Sequence, residues 1–376
     1  MICRDELRQI GVRAPRVAEG GVAFLSSRDD LYRVNLHSRV ATRILVRLGS
    51  FHAGSFAELE RRASRLLWGR FIAGGATVDV RATCRKSRLY HSDAVVERVM
   101  GAVAKVAGVS ESARDEDSAS QLILVRLDHD ECTISVDSSG ALLHRRGYRQ
   151  ALVKAPLRET IAAAMLLAVG WREGDPLLDP FCGSGTVPIE AARIARRIAP
   201  GIDRDFAFTK WPDFDHRVFE RAKAQARDEE RPRAAAPVVG SDRDAGAIAV
   251  ALENAERARV VNDVVLVQRP VSAVEPTGAR GWVVTNPPYG VRVGERDALR
   301  NLFARFGSVL RERFAGWELA MLSPDPRLDG QLRISLREHL RFSNGGIRVR
   351  LVAGAVPGER SARTRRESAA TDDPES

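Results

Sequence analysis

Cysteine is scarce in this chain and follows no metal-binding pattern. Four cysteines occur among 376 residues, and no two of them are spaced as Cys-x-x-Cys. A zinc site or a disulfide framework needs paired or closely spaced cysteines, so the sequence predicts no bound metal and no disulfide. Scattered thiols are typical of a protein in a reducing compartment, and we expect a cytoplasmic location.

Long hydrophobic runs are also missing. No stretch of 18 consecutive apolar residues occurs, whereas a membrane-spanning helix needs about 20. The N-terminal residues are rich in charge and are not followed by an apolar core; the charged residues are Arg4, Asp5, Glu6 and Arg8. The sequence therefore predicts neither a signal peptide nor a membrane partner.

Lysine is rare, whereas arginine is abundant. Only five of the 59 basic residues are lysines, and the net charge is +10 with an isoelectric point near 10. A positive balance favours a polyanionic partner such as nucleic acid. The preference for arginine carries almost no further weight, because genome composition explains it equally well.

One stretch combines a short apolar strand, an acid and a glycine turn. Leu177-Leu178-Asp179 leads into Pro-Phe-Cys-Gly-Ser-Gly-Thr at positions 180–186, and Val187–Arg197 has the apolar spacing of a helix. A strand, a glycine loop and a helix start form the nucleotide site of open α/β sheets, because glycine lets the backbone approach a ligand. Taken alone, a glycine turn that only packs a helix on a strand explains this stretch equally well.

A second stretch favours the nucleotide-site interpretation of the first stretch. The predicted strand Gly281–Thr285 ends in Asn-Pro-Pro-Tyr-Gly, which begins at Asn286. The glycine loop and this motif together resemble the class I methyltransferases that modify amino groups of nucleobases. The side-chain oxygen of Asn286 and the carbonyl of Pro287 can accept the two hydrogens of an exocyclic amine and aim its lone pair at a methyl donor. The prolines fix the loop, and Tyr289 can stack on a flipped base, which is worth about 1–3 kcal/mol.

The resemblance implies S-adenosylmethionine as the cofactor. The backbone around the glycines would approach its methionyl end, and Asp179 would have a role on the cofactor side. Asp242, which ends a predicted strand over 237–242, would accept both ribose hydroxyls; the alternative is a helix cap for the predicted helix 244–257. The residues expected to bind the cofactor are Asp179, Cys182, Gly183, Ser184, Gly185, Thr186 and Asp242.

One position departs from the family pattern. Related enzymes usually carry an aspartate near the cofactor adenine after the third strand, but here the run is Gln-Arg-Pro-Val-Ser, from Gln268 to Ser272. Pro270 and Ser272 stand where the acid is expected, and no acid occurs before Glu275. The adenine contact then falls to backbone atoms or to Ser272, and the sequence leaves this choice open.

The N-terminal part resembles a second module. Lys-Ser-Arg-Leu-Tyr-His at 86–91, with the segment 94–98, and the segment 137–149 resemble a THUMP domain, which binds RNA. The second segment runs into Ala-Pro-Leu-Arg-Glu-Thr at 155–160, and Phe-Ala-Phe-Thr-Lys-Trp-Pro at 206–212 resembles the same family. The order of a ferredoxin-like unit, a THUMP domain and a methyltransferase domain is that of the THUMP-containing RNA guanine-N2 methyltransferases. The basic residues expected to contact RNA are Lys86, Arg88, Arg145, Arg146 and Arg149; a solvated surface explains them as well.

Hydrophobic periodicity and the resemblance together predict an α/β protein. The predicted fold is a doubly wound, Rossmann-like methyltransferase sheet preceded by α+β ferredoxin-like and THUMP domains. The predicted boundaries are 1–55 for the ferredoxin-like unit, 56–150 for THUMP, 151–356 for the methyltransferase domain and 357–376 for a disordered tail. Strands are predicted near 78–82, 122–127, 131–136, 264–267, 318–322 and 347–352, and helices near 56–68, 92–106 and 297–313, with Ser92 as a helix cap.

The sequence therefore predicts an S-adenosylmethionine-dependent methyltransferase that acts on the N2 amine of guanine in RNA. Ribosomal RNA of the 23S type is favoured over transfer RNA. Guanine follows from the family alone, because Asn-Pro-Pro-Tyr serves both guanine and adenine. Two alternatives stay open: a DNA adenine-N6 methyltransferase, which would need a target-recognition domain, and a catalytically inert RNA-binding assembly factor, which would show damaged motifs. The sequence predicts no oligomeric state.

Overall fold

The computed structural model describes five stretches of the chain, which are residues 1–108, 110–111, 120–149, 157–289 and 296–357. They fold into two compact units. The first contains residues 3–145 and 200–226, and the second contains residues 146–199 and those from 227 onward. The disordered tail predicted from residue 357 lies, from 358 onward, outside the described residues.

The first unit is built on a five-stranded sheet flanked by helices. Its elements in chain order are α1 (Ile2–Gln9), β1 (Arg16–Ala18), β2 (Gly21–Ala23), α2 (Arg28–His37), β3 (Leu45–His52), α3 (Phe56–Ala63), β4 (Thr77–Arg85), α4 (Ser92–Ala107), β5 (Ser110–Glu111), β6 (Gln121–Asp128) and β7 (Glu131–Asp137). The strand order is β3-β7-β6-β4-β5. The valines of α4 at one-turn spacing, Val95, Val99 and Val103, are fully buried, as the predicted helical periodicity requires.

The first unit contains an aromatic cluster that includes side chains from a later part of the chain. Tyr32 of α2 stacks on Phe208 with ring centroids 4.6 Å apart, and Phe206 and Phe219 contact Phe208 in turn. These phenylalanines come from the insertion 200–226, which follows the first strand–helix pair of the second unit in sequence. The insertion therefore packs with the first unit, because its apolar side chains find their partners there.

The remaining elements follow in chain order as α5 (Glu159–Val169), β8 (Leu177–Asp179), α6 (Thr186–Ala195), α7 (His216–Asp228), β9 (Val238–Asp242), α8 (Ala245–Arg257), β10 (Val264–Gln268), β11 (Trp282–Thr285), α9 (Arg296–Arg313), β12 (Glu318–Ser323), α10 (Pro326–Gln331), β13 (Arg337–Asn344) and β14 (Ile347–Ala355). The sheet of the second unit has the order β10-β9-β8-β11-β12-β14-β13. Its first five strands are parallel, and β14 is antiparallel to both neighbours. This confirms the predicted doubly wound, mostly parallel sheet.

The core and strand order of the second unit determine where its candidate ligand site lies. Phe303, Phe306 and Leu310 of α9 are buried in one apolar cluster with Val283 and Leu319 of the central strands. From β8 the chain winds outward to β9 and β10, then returns to the other side of β8 with β11 and β12. The order reverses between β8 and β11, and ligands of open α/β sheets bind at the carboxyl ends of the strands at such a point.

Two local features differ from the sequence-based expectation. β13 was not predicted, because it is a charged edge strand whose alternation is broken by a bulge between Glu338 and Leu340; charged residues are typical of edges. It turns into β14 through Gly345 and Gly346, both with positive φ (57° and 83°), as a two-residue hairpin turn requires. The cap predicted at Ser92 is also wrong, since α4 starts at Ser92 and its N-cap is His91 without a side-chain hydrogen bond.

Within the stretches that the structure describes, no helix combines the length and the apolar character needed to cross a membrane. The same stretches contain no group of three or more His, Cys, Asp or Glu side chains arranged to hold a metal ion.

Candidate active site

Three strand ends converge on one edge of the second sheet. β8 lies between β9 and β11, with Asp179 opposite Gly240 and Leu178 opposite Val283. Because all three strands are parallel, Asp179 and Asp242 end side by side, and Thr285 delivers the chain to Asn286 at the same edge. The glycine loop and the Asn-Pro-Pro-Tyr loop, more than 100 residues apart in sequence, are thus neighbours.

The two glycines of the loop have different surroundings. Both have positive φ, 51° at Gly183 and 82° at Gly185. A Cβ on Gly185 would lie 3.0 Å from the Cβ of Ala251 on α8, so this glycine allows close packing of helix on loop. A Cβ on Gly183 would meet nothing within 4 Å. Gly183 is therefore the position at which the backbone is open to a ligand.

The loop is held by hydrogen bonds from neighbouring elements. The amide of Gly183 donates to Asp242 Oδ2 (3.1 Å), and that of Cys182 donates to the Ser241 carbonyl (3.0 Å). The fully buried Asn254 of α8 donates from Nδ2 to the Ser184 carbonyl (3.0 Å). Sequence reasoning missed Asn254, and its only signal was a polar residue on the buried face of a helix.

Cys182 and the first residue of α6 have local roles in this loop. Cys182 is buried, and burial raises the pKa of its thiol far above the usual range. A neutral buried thiol is unreactive, so the small size of the cysteine side chain explains its presence in the glycine loop better than reactivity does. Thr186 is buried at the start of α6, where its Oγ1 accepts a hydrogen bond from Arg149 (2.7 Å).

Asp242 does not cap the helix that follows it. The N-cap of α8 is Asp244, whose Oδ1 accepts from the amide of Gly246 (2.8 Å), so the cap alternative for Asp242 is wrong. Asp242 instead accepts from the amides of Asp244 (3.0 Å) and Gly183 (3.1 Å), one at each oxygen. A carboxylate has about four acceptor sites, so two stay available for a ligand.

Asp179 is an acid in an enclosed position. Its relative exposure is 2%, and its Oδ1 accepts hydrogen bonds from the Thr285 hydroxyl (2.5 Å) and the Phe181 amide (3.1 Å). Burial raises the pKa of Asp179 to about 7, the charge of Asp242 acts in the same direction, and the two hydrogen bonds oppose the shift. Asp179 is therefore balanced between its neutral and ionised forms near neutral pH.

The Asn-Pro-Pro-Tyr loop presents a buried acceptor atom. Oδ1 of Asn286 is buried and has no hydrogen-bond partner among the described residues. Pro287 is buried beside it. The Tyr289 hydroxyl accepts a hydrogen bond from Nδ2 of Asn344 (3.1 Å), at the tip of the β13–β14 hairpin, so the ring has a fixed partner that the sequence did not indicate.

Two of the basic residues expected to bind RNA are accessible on the first unit. Lys86 is exposed in the turn after β4 and has φ of 46°. The side chain of Arg88 is 77% exposed, with its Nε 3.7 Å from Asp130. Tyr90, which is 70% exposed, lies against His91 with ring centroids 4.0 Å apart. Exposed cations beside an exposed aromatic ring suit a nucleic-acid strand.

The three arginines near the domain junction differ from the expectation. Arg146 is 2% exposed, and its Nε lies 3.9 Å from Glu190 Oε1. The phosphate contact expected for Arg146 is therefore wrong, because a buried guanidinium next to a buried acid cannot reach a phosphate. Arg149 donates to the Thr186 hydroxyl and the Leu157 carbonyl. Of the three, Arg145 alone is exposed.

The contrast between Arg145 and Arg146 gives a prediction for stability. Arg146→Met should lower the free energy of unfolding of the second unit by about 3–5 kcal/mol, because it removes a buried guanidinium 3.9 Å from the buried Glu190 carboxyl. Arg145→Met, one residue earlier and exposed, should change it by less than about 0.5 kcal/mol. Urea unfolding of both variants measures the difference. Equal losses would contradict the burial of Arg146.

Comparison with protein families divides the chain into three regions. Residues 1–45 match a family described as the RlmL ferredoxin-like domain, residues 53–137 match the THUMP domain, and residues 146–350 match the RMKL-like methyltransferase domain. The three matches occur in the order expected from the sequence and confirm the resemblance and the fold class.

Curated relatives cover nearly all of this chain. A Synechocystis protein whose name proposes an RNA methyltransferase is 35% identical over 92% of this chain and 91% of its own length. The ribosomal RNA large subunit methyltransferase K/L of Methylococcus capsulatus is 36% identical over 94% of this chain but 50% of its own length. The chain thus spans about half the length of the K/L relatives it matches.

Solved structures confirm the fold and the cofactor. A protein whose name proposes a methyltransferase, solved in complex with SAH, is 28% identical, with a TM-score of 0.84 over 95% of this chain and 94% of that chain. A Listeria monocytogenes protein whose name predicts an N6-adenine-specific DNA methylase is 30% identical, with a TM-score of 0.82 over 93% of this chain and 92% of that chain. The names of the similar proteins therefore agree on methylation and disagree on the nucleic acid.

Proposed function

The chain belongs to the RMKL-like methyltransferase family, and on that premise we propose that it methylates the exocyclic N2 amine of a guanine in structured RNA. The proposed substrate is 23S ribosomal RNA, with transfer RNA as the second choice. The proposal rests above all on Asn286, whose side-chain oxygen is a buried acceptor without a donor among the described residues.

The residues around the glycine loop fit S-adenosylmethionine, the cofactor of this family. The open position at Gly183 admits the methionyl end. The buried carboxyl of Asp179 suits the ammonium group, and the free acceptor sites of Asp242 suit the two ribose hydroxyls. When bound, the cofactor supplies a methyl group on a positively charged sulfur. Ser272 is half-buried near the end of β10 and is our candidate for the adenine contact.

The acceptor loop explains how a weak nucleophile is used. A buried acceptor left unpaired costs about 1–3 kcal/mol, so a ligand that donates a hydrogen bond to Asn286 recovers that free energy. Oδ1 of Asn286 and the Pro287 carbonyl accept the two amine hydrogens, which turns the nitrogen lone pair toward the methyl group. A new N–C bond forms, the electrons of the broken C–S bond stay on sulfur, and the acidified amine loses a proton to water. No strong base is required.

RNA is favoured as the substrate by the first unit. The THUMP match includes the turn that carries Lys86, Arg88 and Tyr90, and these side chains are exposed. The net charge of +10 supports a polyanionic partner. The names of the curated relatives refer to RNA and, for the K/L proteins, to large-subunit ribosomal RNA, which supports the 23S assignment.

The base and the nucleic acid need an experiment, because the acceptor loop suits any exocyclic amine. Total RNA from a strain lacking this gene should accept labelled methyl groups, and nucleoside digestion should place the label in N2-methylguanosine. The size class of the labelled RNA then separates ribosomal from transfer RNA. Label in N6-methyladenosine, or transfer to DNA instead of RNA, would overturn the assignment and favour the activity named for the Listeria relative.

An inert RNA-binding factor is the alternative of another class. Both motifs are intact, and Asn286, Asp179 and Asp242 meet at one edge of the sheet. A factor that only binds RNA has no need for an open glycine loop or an unpaired acceptor. Calorimetry with S-adenosylmethionine separates the two, because an inert factor is under no constraint to bind it.

The exposed THUMP turn gives a prediction for RNA binding. Lys86→Ala combined with Arg88→Ala should weaken RNA affinity about 10-fold and lower the slope of log K against log salt concentration by about two, because two phosphate contacts are lost. The cofactor dissociation constant should not change. Filter binding at several salt concentrations measures the slope. Arg217→Ala with Arg221→Ala, an exposed pair on α7, is the control of matched charge, and an equal effect there would argue against a specific site.

A further inference from the structure

One buried hydrogen bond joins the cofactor loop to the acceptor loop. We propose that Thr285, the residue that precedes Asn286, is a positioning residue for methyl transfer. Its hydroxyl orients the Asp179 carboxyl toward the cofactor ammonium and connects the end of β8 to the start of the acceptor loop. This inference rests on the proposed function for the identity of the acceptor, but its cofactor part is testable without RNA.

The geometry at the two strand ends supports this role. Thr285 is fully buried, and its Oγ1 lies 2.5 Å from Asp179 Oδ1. The same oxygen accepts from the Phe181 amide at 3.1 Å. Since a hydroxyl that donates to a carboxylate at this distance forms a strong, charge-assisted hydrogen bond, the orientation of the Asp179 carboxyl is set by β11 and by the glycine loop together.

The charges around Asp179 indicate which kind of ligand group its carboxyl would bind. The group that faces it from β9 is another acid, Asp242, and the Cys182 thiol in the loop is neutral. No basic side chain of the described residues forms an ion pair with Asp179. A buried carboxyl without a cation is costly in its ionised form, so the site favours a ligand that brings a positive charge. The ammonium group of S-adenosylmethionine has that charge.

The arrangement predicts how cofactor binding depends on pH. In the free protein the pKa of Asp179 is raised to about 7, so the stability gained from holding its proton is complete below about pH 4 and is lost as the pH rises toward 7. An ammonium group prefers the ionised carboxylate. Cofactor affinity should therefore rise with pH through about 7, up to the pH at which the ammonium group loses its own proton. The Thr285 hydroxyl lowers the pKa of Asp179, so losing it should move this midpoint upward.

The test compares Thr285→Val with Thr285→Ser. Valine has nearly the same shape without the hydroxyl, and serine keeps the hydroxyl. Cofactor dissociation constants are measured by calorimetry from pH 5.5 to 9. For Thr285→Val we expect the midpoint to rise by about one pH unit, because a hydrogen bond to a charged group is worth about that much. Binding at pH 7 should then be about fivefold weaker, because the ionised fraction of Asp179 falls from about one half to about one tenth. Thr285→Ser should follow the unmodified protein.

Further variants decide between the outcomes. Asp179→Asn should bind weakly and without the pH dependence near 7. Should the valine variant fail to fold, as a thermal melt would show, Thr285→Cys with its weak S–H donor should give an intermediate midpoint. A binding curve for Thr285→Val that coincides with that of the unmodified protein would overturn the proposal. A shifted midpoint together with absent guanine methylation would instead retain Thr285 as a positioning residue and reject the proposed function.

Discussion

Replacing Asn286 with alanine is expected to lower the turnover of methyl transfer by about 10²–10³-fold while leaving cofactor affinity unchanged. The removed oxygen is the buried acceptor that has no partner among the described residues, so none of those residues loses a hydrogen bond to it. Its effect is confined to the complex in which the amine is bound. The magnitude is that of removing one pre-placed hydrogen-bonding group from a transition state.

The matched control for this prediction is Asn286→Asp. Aspartate keeps an acceptor oxygen of the same reach, so it should retain far more activity than alanine. Single-turnover kinetics with labelled cofactor measures the chemical step, and calorimetry measures cofactor binding. Normal turnover in Asn286→Ala would exclude the amine-positioning role, whereas equal loss in both variants would indicate that the carboxamide nitrogen also takes part.

Replacing Asp242 with alanine is expected to weaken S-adenosylmethionine binding by at least about 10²-fold. The carboxylate accepts the amide of Gly183, so its loss removes a support of the loop and the acceptors for the ribose hydroxyls. Hydrogen bonds to a charged group contribute about 1.5–3 kcal/mol each. Calorimetry gives the dissociation constant directly, and unaltered affinity would reject the ribose assignment.

Asp244 is the internal control, because it lies two residues away and has a different task. Asp244→Ala removes the N-cap of α8, which should cost about 1 kcal/mol of stability with little change in cofactor affinity. Asp242→Ala should show the reverse balance. If both variants lost affinity equally, the role of Asp242 would be reduced to holding the start of α8.

The local chemistry of both motifs could be read from the sequence. Proline and glycine restrict or release the backbone wherever they occur, so the glycine loop and the Asn-Pro-Pro-Tyr turn were recognisable without a structure. The strands β8, β9, β10, β11 and β12 were predicted from apolar runs, because buried parallel strands carry them. Edge strand β13 was not predicted, because its charged residues and its bulge interrupt the apolar–polar alternation.

Burial and partnership across long sequence separations needed the tertiary structure. Arg145 and Arg146 are the same residue type one position apart, and only packing decides that one is exposed while the other lies against Glu190. The hydrogen-bond partners of Asn254, Thr285 and Asn344 lie 55 to 106 residues away in sequence, so the structure was needed to identify them.

The amino-acid sequence by itself determined the glycine loop and the Asn-Pro-Pro-Tyr turn, because each is encoded in consecutive residues whose backbone preferences are local; the THUMP domain was expected from a family resemblance. Only the tertiary structure decided that the two loops meet, that the insertion 200–226 packs with the first unit, and that the buried Asp179 forms no ion pair with a basic side chain of the described residues. The physical reason is that burial changes the energy of a charge, and burial is a property of the folded sheet and not of any one segment.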